Sequence, residues 1–124
     1  MKKDILNHTD IELLVNSFYV KVQESAIIGY IFNDIMKVDW ETHLPRMYSF
    51  WASLLLDEYS FKGNPMQKHV ELSKKTSLTT VEFTEWLQLF SETVNELFQG
   101  EKAEEAIKRS ENIAKLMLLK IEKS

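Results

Sequence analysis

The chain has 124 residues, 44% of them hydrophobic and 27% charged. That is enough for one domain with a sizeable core, in the proportions of an ordinary soluble protein. A net charge of −4 leaves no electrostatic footprint for nucleic acid or an anionic membrane, and no apolar run reaches bilayer-spanning length. The lack of any cysteine excludes disulfides, thiolate metal sites, iron–sulfur clusters, a cysteine nucleophile and thioether-linked cofactors.

Three glycines and two prolines leave little material for hairpin turns, and the apolar residues recur at helical spacing, so an all-α chain is expected. The N-terminus, Met1-Lys2-Lys3-Asp4-Ile5-Leu6-Asn7-His8, carries two lysines but no apolar h-region. It is not a signal peptide, which makes a cytoplasmic protein the default. Thr9-Asp10-Ile11-Glu12 has the form of a capping box and predicts a helix from Thr9 to about residue 24. Ile11, Leu14, Val15, Phe18, Tyr19 and Val22 fall on its inner face. Tyr19 stands out there, because a hydroxyl turned inward needs a partner. A core tyrosine reaching a carbonyl is the ordinary explanation.

Residues 26–35 are compact and apolar, broken by Gly29, with Ile31 and Phe32 expected to plug the core from a short helical turn. Asp39 is a suitable N-cap for the next helix, which should run to about residue 56. His43, Met47, Phe50, Trp51 and Leu54 form one stripe along it. Pro45 lies deep for a first turn, so this helix should either start nearer Thr42 or bend at the proline. Arg46 falls at the edge of the stripe, where a guanidinium reaches an anion at a cavity rim or is merely solvated.

The stretch Asn64-Pro65-Met66-Gln67-Lys68-His69-Val70-Glu71-Leu72 reads as one or two helical turns. Asn64 would cap it, and Pro65 would occupy the first position, where its missing N–H is harmless. Met66 and Leu72 share the face of His69, so the imidazole should meet apolar surroundings from a short, rigid element. Such a neutral imidazole suits axial ligation of a haem iron; the ordinary alternative is a core histidine satisfied by a hydrogen bond. A second capping box, Thr79-Thr80-Val81-Glu82, opens a long helix with Phe83, Trp86, Leu87, Phe90, Val94 and Leu97 inward and Gly100 as its stop. The last helix should start near Lys102 and bury Ala103, Ala106, Ile107, Ile113, Ala114, Met117 and Ile121 beneath a solvated Glu/Lys face.

Helices in a chain this short can pack without any ligand. Against that stand three inward polar heads, on Tyr19, His43 and Trp86. Each would cost about 1–3 kcal/mol if left unsatisfied in a sealed core. The cost is intelligible if they converge on a cavity where a ligand needs donors, with His69 holding a planar haem from the opposite side. Other chemistries fare worse. The zinc-protease pattern and a phosphate-cradling glycine loop are absent, and scattered histidines without cysteines make a poor zinc site.

The ordered set Phe18-Tyr19-Val20-Lys21-Val22, Ile31-Phe32-Asn33, Trp40-Glu41-Thr42-His43-Leu44-Pro45, Phe50-Trp51 and Leu54-Leu55-Leu56 continues with Gly63-Asn64-Pro65-Met66-Gln67-Lys68-His69. Phe83, Trp86-Leu87, Leu89-Phe90, Thr93-Val94 and Leu97-Phe98 follow. In this order the chain resembles the group III truncated haemoglobins of bacteria over residues 10–118, and the diglycine turns of groups I and II are missing.

The resemblance implies a globin-like, two-on-two helical sandwich carrying haem b, as one domain across the chain. It implies that His69 is the proximal iron ligand and that Tyr19, His43 and Trp86 line the distal side. Arg46 would bind a propionate, with Lys68 a second candidate. Phe32, Met47, Phe50, Trp51, Phe61, Phe90 and Met117 would be apolar walls. The expected function is binding of O2, NO or similar diatomic ligands. A strongly donating distal pocket slows O2 release, which favours redox chemistry such as NO dioxygenation or peroxide handling over transport. Nothing in the chain would bind a flavin or NAD, so electrons would come from a separate reductase. A ligand-binding or sensing protein without turnover is the alternative, and a cofactor-free helical interaction module the third reading.

Overall fold

The computed structural model describes residues 2–35, 37, 39–56 and 78–123. Among these residues the elements are α1 (His8–Glu24), a π-helical turn (Ile31–Ile35), α2 (Trp40–Leu55), α3 (Thr80–Leu97) and α4 (Glu101–Lys123). The chain is all-α, as its composition required. α1 pairs with α2 and α3 with α4, while α1 against α3 and α2 against α4 join the pairs across the core. The result is two helices on two.

The helix starts follow from local hydrogen bonding. α1 begins at His8 rather than Thr9, because the side chain of Asn7 accepts from the backbone N–H of Asp10 at 3.0 Å. Asparagine thus takes the capping position two residues upstream of the expected box. Asp39 caps α2 by accepting from Glu41 N–H at 3.2 Å. This helix starts at Trp40 and carries Pro45 within it, so the later start near Thr42 does not occur. The box at α3 is complete: Thr79 accepts from Val81 N–H, and Glu82 accepts from Thr79 N–H at 2.6 Å. α3 ends at Leu97 with Phe98 as its cap, so Gly100 is the turn into α4 rather than the stop of α3.

The core is built from the periodic faces. Ile11, Leu14, Val15, Phe18 and Val22 of α1 are buried against Trp51 and Leu55 of α2 and Phe90 and Val94 of α3. Ala103 and Ala106 let α4 approach closely. Two hydroxyls are fully buried and satisfied by carbonyls on their own helices, Thr93 to Leu89 at 2.7 Å and Ser110 to Ile107 at 2.7 Å.

The N-terminal arm, to which the sequence pattern assigned no element, is tied down at two points. The Asp4 carboxylate accepts from Lys102 N–H and Ala103 N–H, both at 2.9 Å, and so caps the first turn of α4. Asp10 is buried, accepts from Leu6 N–H at 2.9 Å and pairs with Lys3 at 2.8 Å. Gly100, at φ +143°, lies under Asp4, where an added Cβ would stand 2.6 Å from the carboxylate carbon. Among the described residues no helix is long and apolar enough to cross a membrane.

Candidate functional site

The inner face of α1 delivers Tyr19 to the start of α2. One turn into α2 the imidazole of His43 meets the phenol ring edge-on, with centroids 5.4 Å apart. Trp40, three residues earlier on the same face, touches both, at 5.3 Å from Tyr19 and 5.6 Å from His43. Phe32 comes up from the π-helical turn, 5.9 Å from Tyr19, and stacks on Trp40 at 6.2 Å. Four rings from three elements thus meet, two of them, Tyr19 and His43, carrying polar heads. Gly29 permits this entry: an added Cβ would lie 2.8 Å from the Gln23 carbonyl oxygen at the end of α1.

The two heads are chemically distinct. Burial alone pushes the Tyr19 phenol well above the ordinary tyrosine value. It therefore stays protonated and remains a hydrogen-bond donor wherever the protein is folded. The Nε2 atom of His43 is buried as well. A buried phenol in edge-on ring contact with an imidazole whose Nε2 is buried, with two further aromatic rings against them, puts two polar groups in apolar surroundings.

Trp86 stands one ring further on. It stacks on Phe90 at 5.8 Å and meets the edge of Phe18 at 5.6 Å, and Phe18 in turn packs 4.9 Å from Tyr19. The direct convergence expected of three residues is a close pair, Tyr19 and His43, with Trp86 joined to it through Phe18. Trp51 spends one face on Phe90, at 4.7 Å, and takes the edge of Phe50 at 5.4 Å. Met47 is half-buried on the His43 stripe, and Met117 is buried on α4. Arg46 is exposed on α2, one turn beyond His43, and forms no ion pair among the described residues. His69, Lys68 and Phe61 lie outside the described residues, as does the short helix expected around residues 64–72.

Sequence reasoning did not single out Trp40 as a pocket residue. The signal was present, since Trp40 stands three residues before His43 and shares its face.

No family model matches the chain. It is 33% identical over 118 residues to a group 3 truncated hemoglobin of Campylobacter jejuni, an alignment covering 92% of this chain and 90% of that protein. The chain belongs to the group III truncated haemoglobins. The crystal structure of a group III truncated hemoglobin from Campylobacter jejuni superimposes with a TM-score of 0.85 at 31% identity, covering 98% of this chain and 95% of that one. The family implies a haem-based binder of small diatomic ligands. On its own geometry this truncated haemoglobin fits such a group. A planar, apolar macrocycle with a polar ligand needs aromatic walls and donors gathered at one spot, and Phe32, Trp40, Tyr19 and His43 supply both.

Proposed function

We propose that this truncated haemoglobin holds haem b through His69 and uses Tyr19, His43 and Trp86 to bind and polarise a diatomic ligand for redox chemistry, NO dioxygenation foremost. With no cysteine in the chain, attachment would be non-covalent. Bound haem would supply an iron that takes O2 or NO and exchanges electrons with it. The observation that carries the reading is the edge-on contact between the buried ring of Tyr19 and the imidazole of His43, whose Nε2 is buried.

The protein's own part is electrostatic. With haem bound, Tyr19 would donate a hydrogen bond to the ligand, and the low-dielectric surroundings would strengthen it. His43 orients beside the phenol and controls entry past the start of α2. Trp86 contributes its indole N–H from the α3 side. Arg46, exposed one turn from His43, serves a propionate at the rim, with Lys68 as a second cation. Phe32, Met47, Phe50, Trp51, Phe61, Phe90 and Met117 exclude water. A pocket that donates this strongly retains O2, which suits conversion of NO and O2 to nitrate better than transport. The single electron each turnover consumes would come from a cytoplasmic reductase.

The test is stopped-flow mixing of the haem-loaded, reduced and O2-saturated protein with NO. Stoichiometric nitrate, and repeated cycles when a reductase system is supplied, are expected. Ligand binding without nitrate would leave the sensing alternative. A protein that develops no Soret band when expressed with haem would remove the reading altogether. His69→Ala should abolish the axial imidazole signature while the chain remains largely helical, and an unchanged iron spectrum would transfer the proximal role elsewhere.

A further inference from the structure

Tyrosine and tryptophan lose an electron far more readily than phenylalanine does, so the arrangement of the indoles around Tyr19 is not neutral. Trp40 is in direct ring contact with Tyr19, at 5.3 Å. Trp86 and Trp51 are separated from it by phenylalanines: Phe18 lies between Tyr19 and Trp86, and Phe90 between Trp86 and Trp51. Among the described residues, an electron vacancy on Tyr19 therefore has Trp40 in ring contact and the other two indoles behind phenylalanine rings that do not readily carry it. Exposure sets Trp51 apart as well: it is 3% exposed, whereas Trp40, at the first turn of α2, and Trp86 are both half-buried.

We propose that Trp40 is a one-electron donor, coupled through the ring of Tyr19 to the haem pocket, that carries oxidising equivalents left by hydrogen peroxide out to the surface. The inference rests on the haem reading above. Reduction of one hydrogen peroxide to two waters takes two electrons and two protons. One electron is the ferrous iron's own and the other leaves the indole of Trp40. The protons are the Trp40 ring N–H and one from solvent; the O–O bond breaks, and a neutral indolyl radical remains at Trp40. Tyr19 is only a station. Its phenol is buried, so lasting oxidation there would strand a proton in an apolar site, and refilling from Trp40 avoids that. Trp40 thus limits oxidative loss of the haem.

The experiment treats the haem-loaded, reduced full chain with one equivalent of hydrogen peroxide and a nitroso spin trap, then locates the adduct by peptide mass spectrometry alongside freeze-quench electron paramagnetic resonance. An adduct at Trp40 and an organic radical signal are expected. Trp40→Phe, which keeps a smaller aromatic ring and is redox-silent, should lower the radical yield several-fold and speed Soret bleaching. Trp40→Tyr should restore both, which a purely packing role would not produce. An adduct at Trp51 or Trp86, an equal Trp40 adduct in haem-free protein, or equal radical yield in Trp40→Phe would overturn the proposal. Failure to load haem would sink the underlying reading with it, whereas loading with no Trp40 adduct sinks this inference alone.

Discussion

Tyr19→Phe keeps the ring and its contacts with Phe18, Phe32, Trp40 and His43 and deletes one hydroxyl. With haem bound, the lost hydrogen bond to a partly charged ligand is worth about 1.5–3 kcal/mol. The O2 off-rate should rise roughly tenfold to a hundredfold, measurable by flash photolysis or stopped flow. Stability should change little or improve, because the substitution also removes a polar head from a buried site. An unchanged off-rate in a folded, haem-loaded variant would contradict the donor role. At this scale the sequence was legible for single residues but not for their grouping. Tyr19 and His43 were visible as inward polar heads. That Trp40 would complete their enclosure, and that Trp86 would be held one ring away behind Phe18, depended on how three elements cross.

The N-terminal arm and α4 form the clearest unit at the scale of elements. Burial works against a charge on Asp4, but hydrogen bonds from the Lys102, Ile5 and Ala103 backbone and the nearby Lys102 ammonium outweigh it, leaving the carboxyl below the ordinary aspartate value. Asp10 is lowered in the same way: burial opposes its charge, while Lys3 and the Leu6 and Asn7 backbone N–H groups prevail. A depressed folded-state pKa means that this stabilisation is fully present above the unfolded value. It is lost as pH falls from the ordinary aspartate pKa through the lowered folded ones. Acid titration followed by far-ultraviolet circular dichroism should show an acid transition at higher pH in Asp4→Ala than in the parent. At neutral pH, Asp4→Ala removes a helix cap and should cost about 1 kcal/mol in urea denaturation. Gly100→Ala should be worse than a surface glycine exchange, since φ is +143° and the new Cβ would meet Asp4 at 2.6 Å. The arm escaped the sequence reading because its bonds span about a hundred positions, from Asp4 to Lys102 and Ala103. The two capping interactions at α2 and α3 were readable because each is completed within three residues.

For the whole molecule, the two-on-two packing places the Tyr19–His43 pair between α1 and α2, while α3 and α4 back the core behind it. Haem binding to the native state alone adds stability by mass action, about 4 kcal/mol at a thousandfold excess over its dissociation constant. The haem-loaded protein should therefore melt well above the haem-free form by calorimetry, and His69→Ala should narrow that gap. Equal melting temperatures with haem present and absent would count against a resident cofactor.

Composition and period by themselves settled that the chain is helical, which faces turn inward and where α2 and α3 are capped, because these depend on neighbours three or four positions apart. The ordered set of residues from Phe18-Tyr19 to Leu97-Phe98, rather than composition or period, carried the family resemblance that the whole-chain similarity supports. Only the packed structure decided which polar heads meet, which indole stands next to the phenol and what holds the start of α4. Those outcomes follow from helix crossings and long-range contacts, and a repeat of three to four residues contains no information about either.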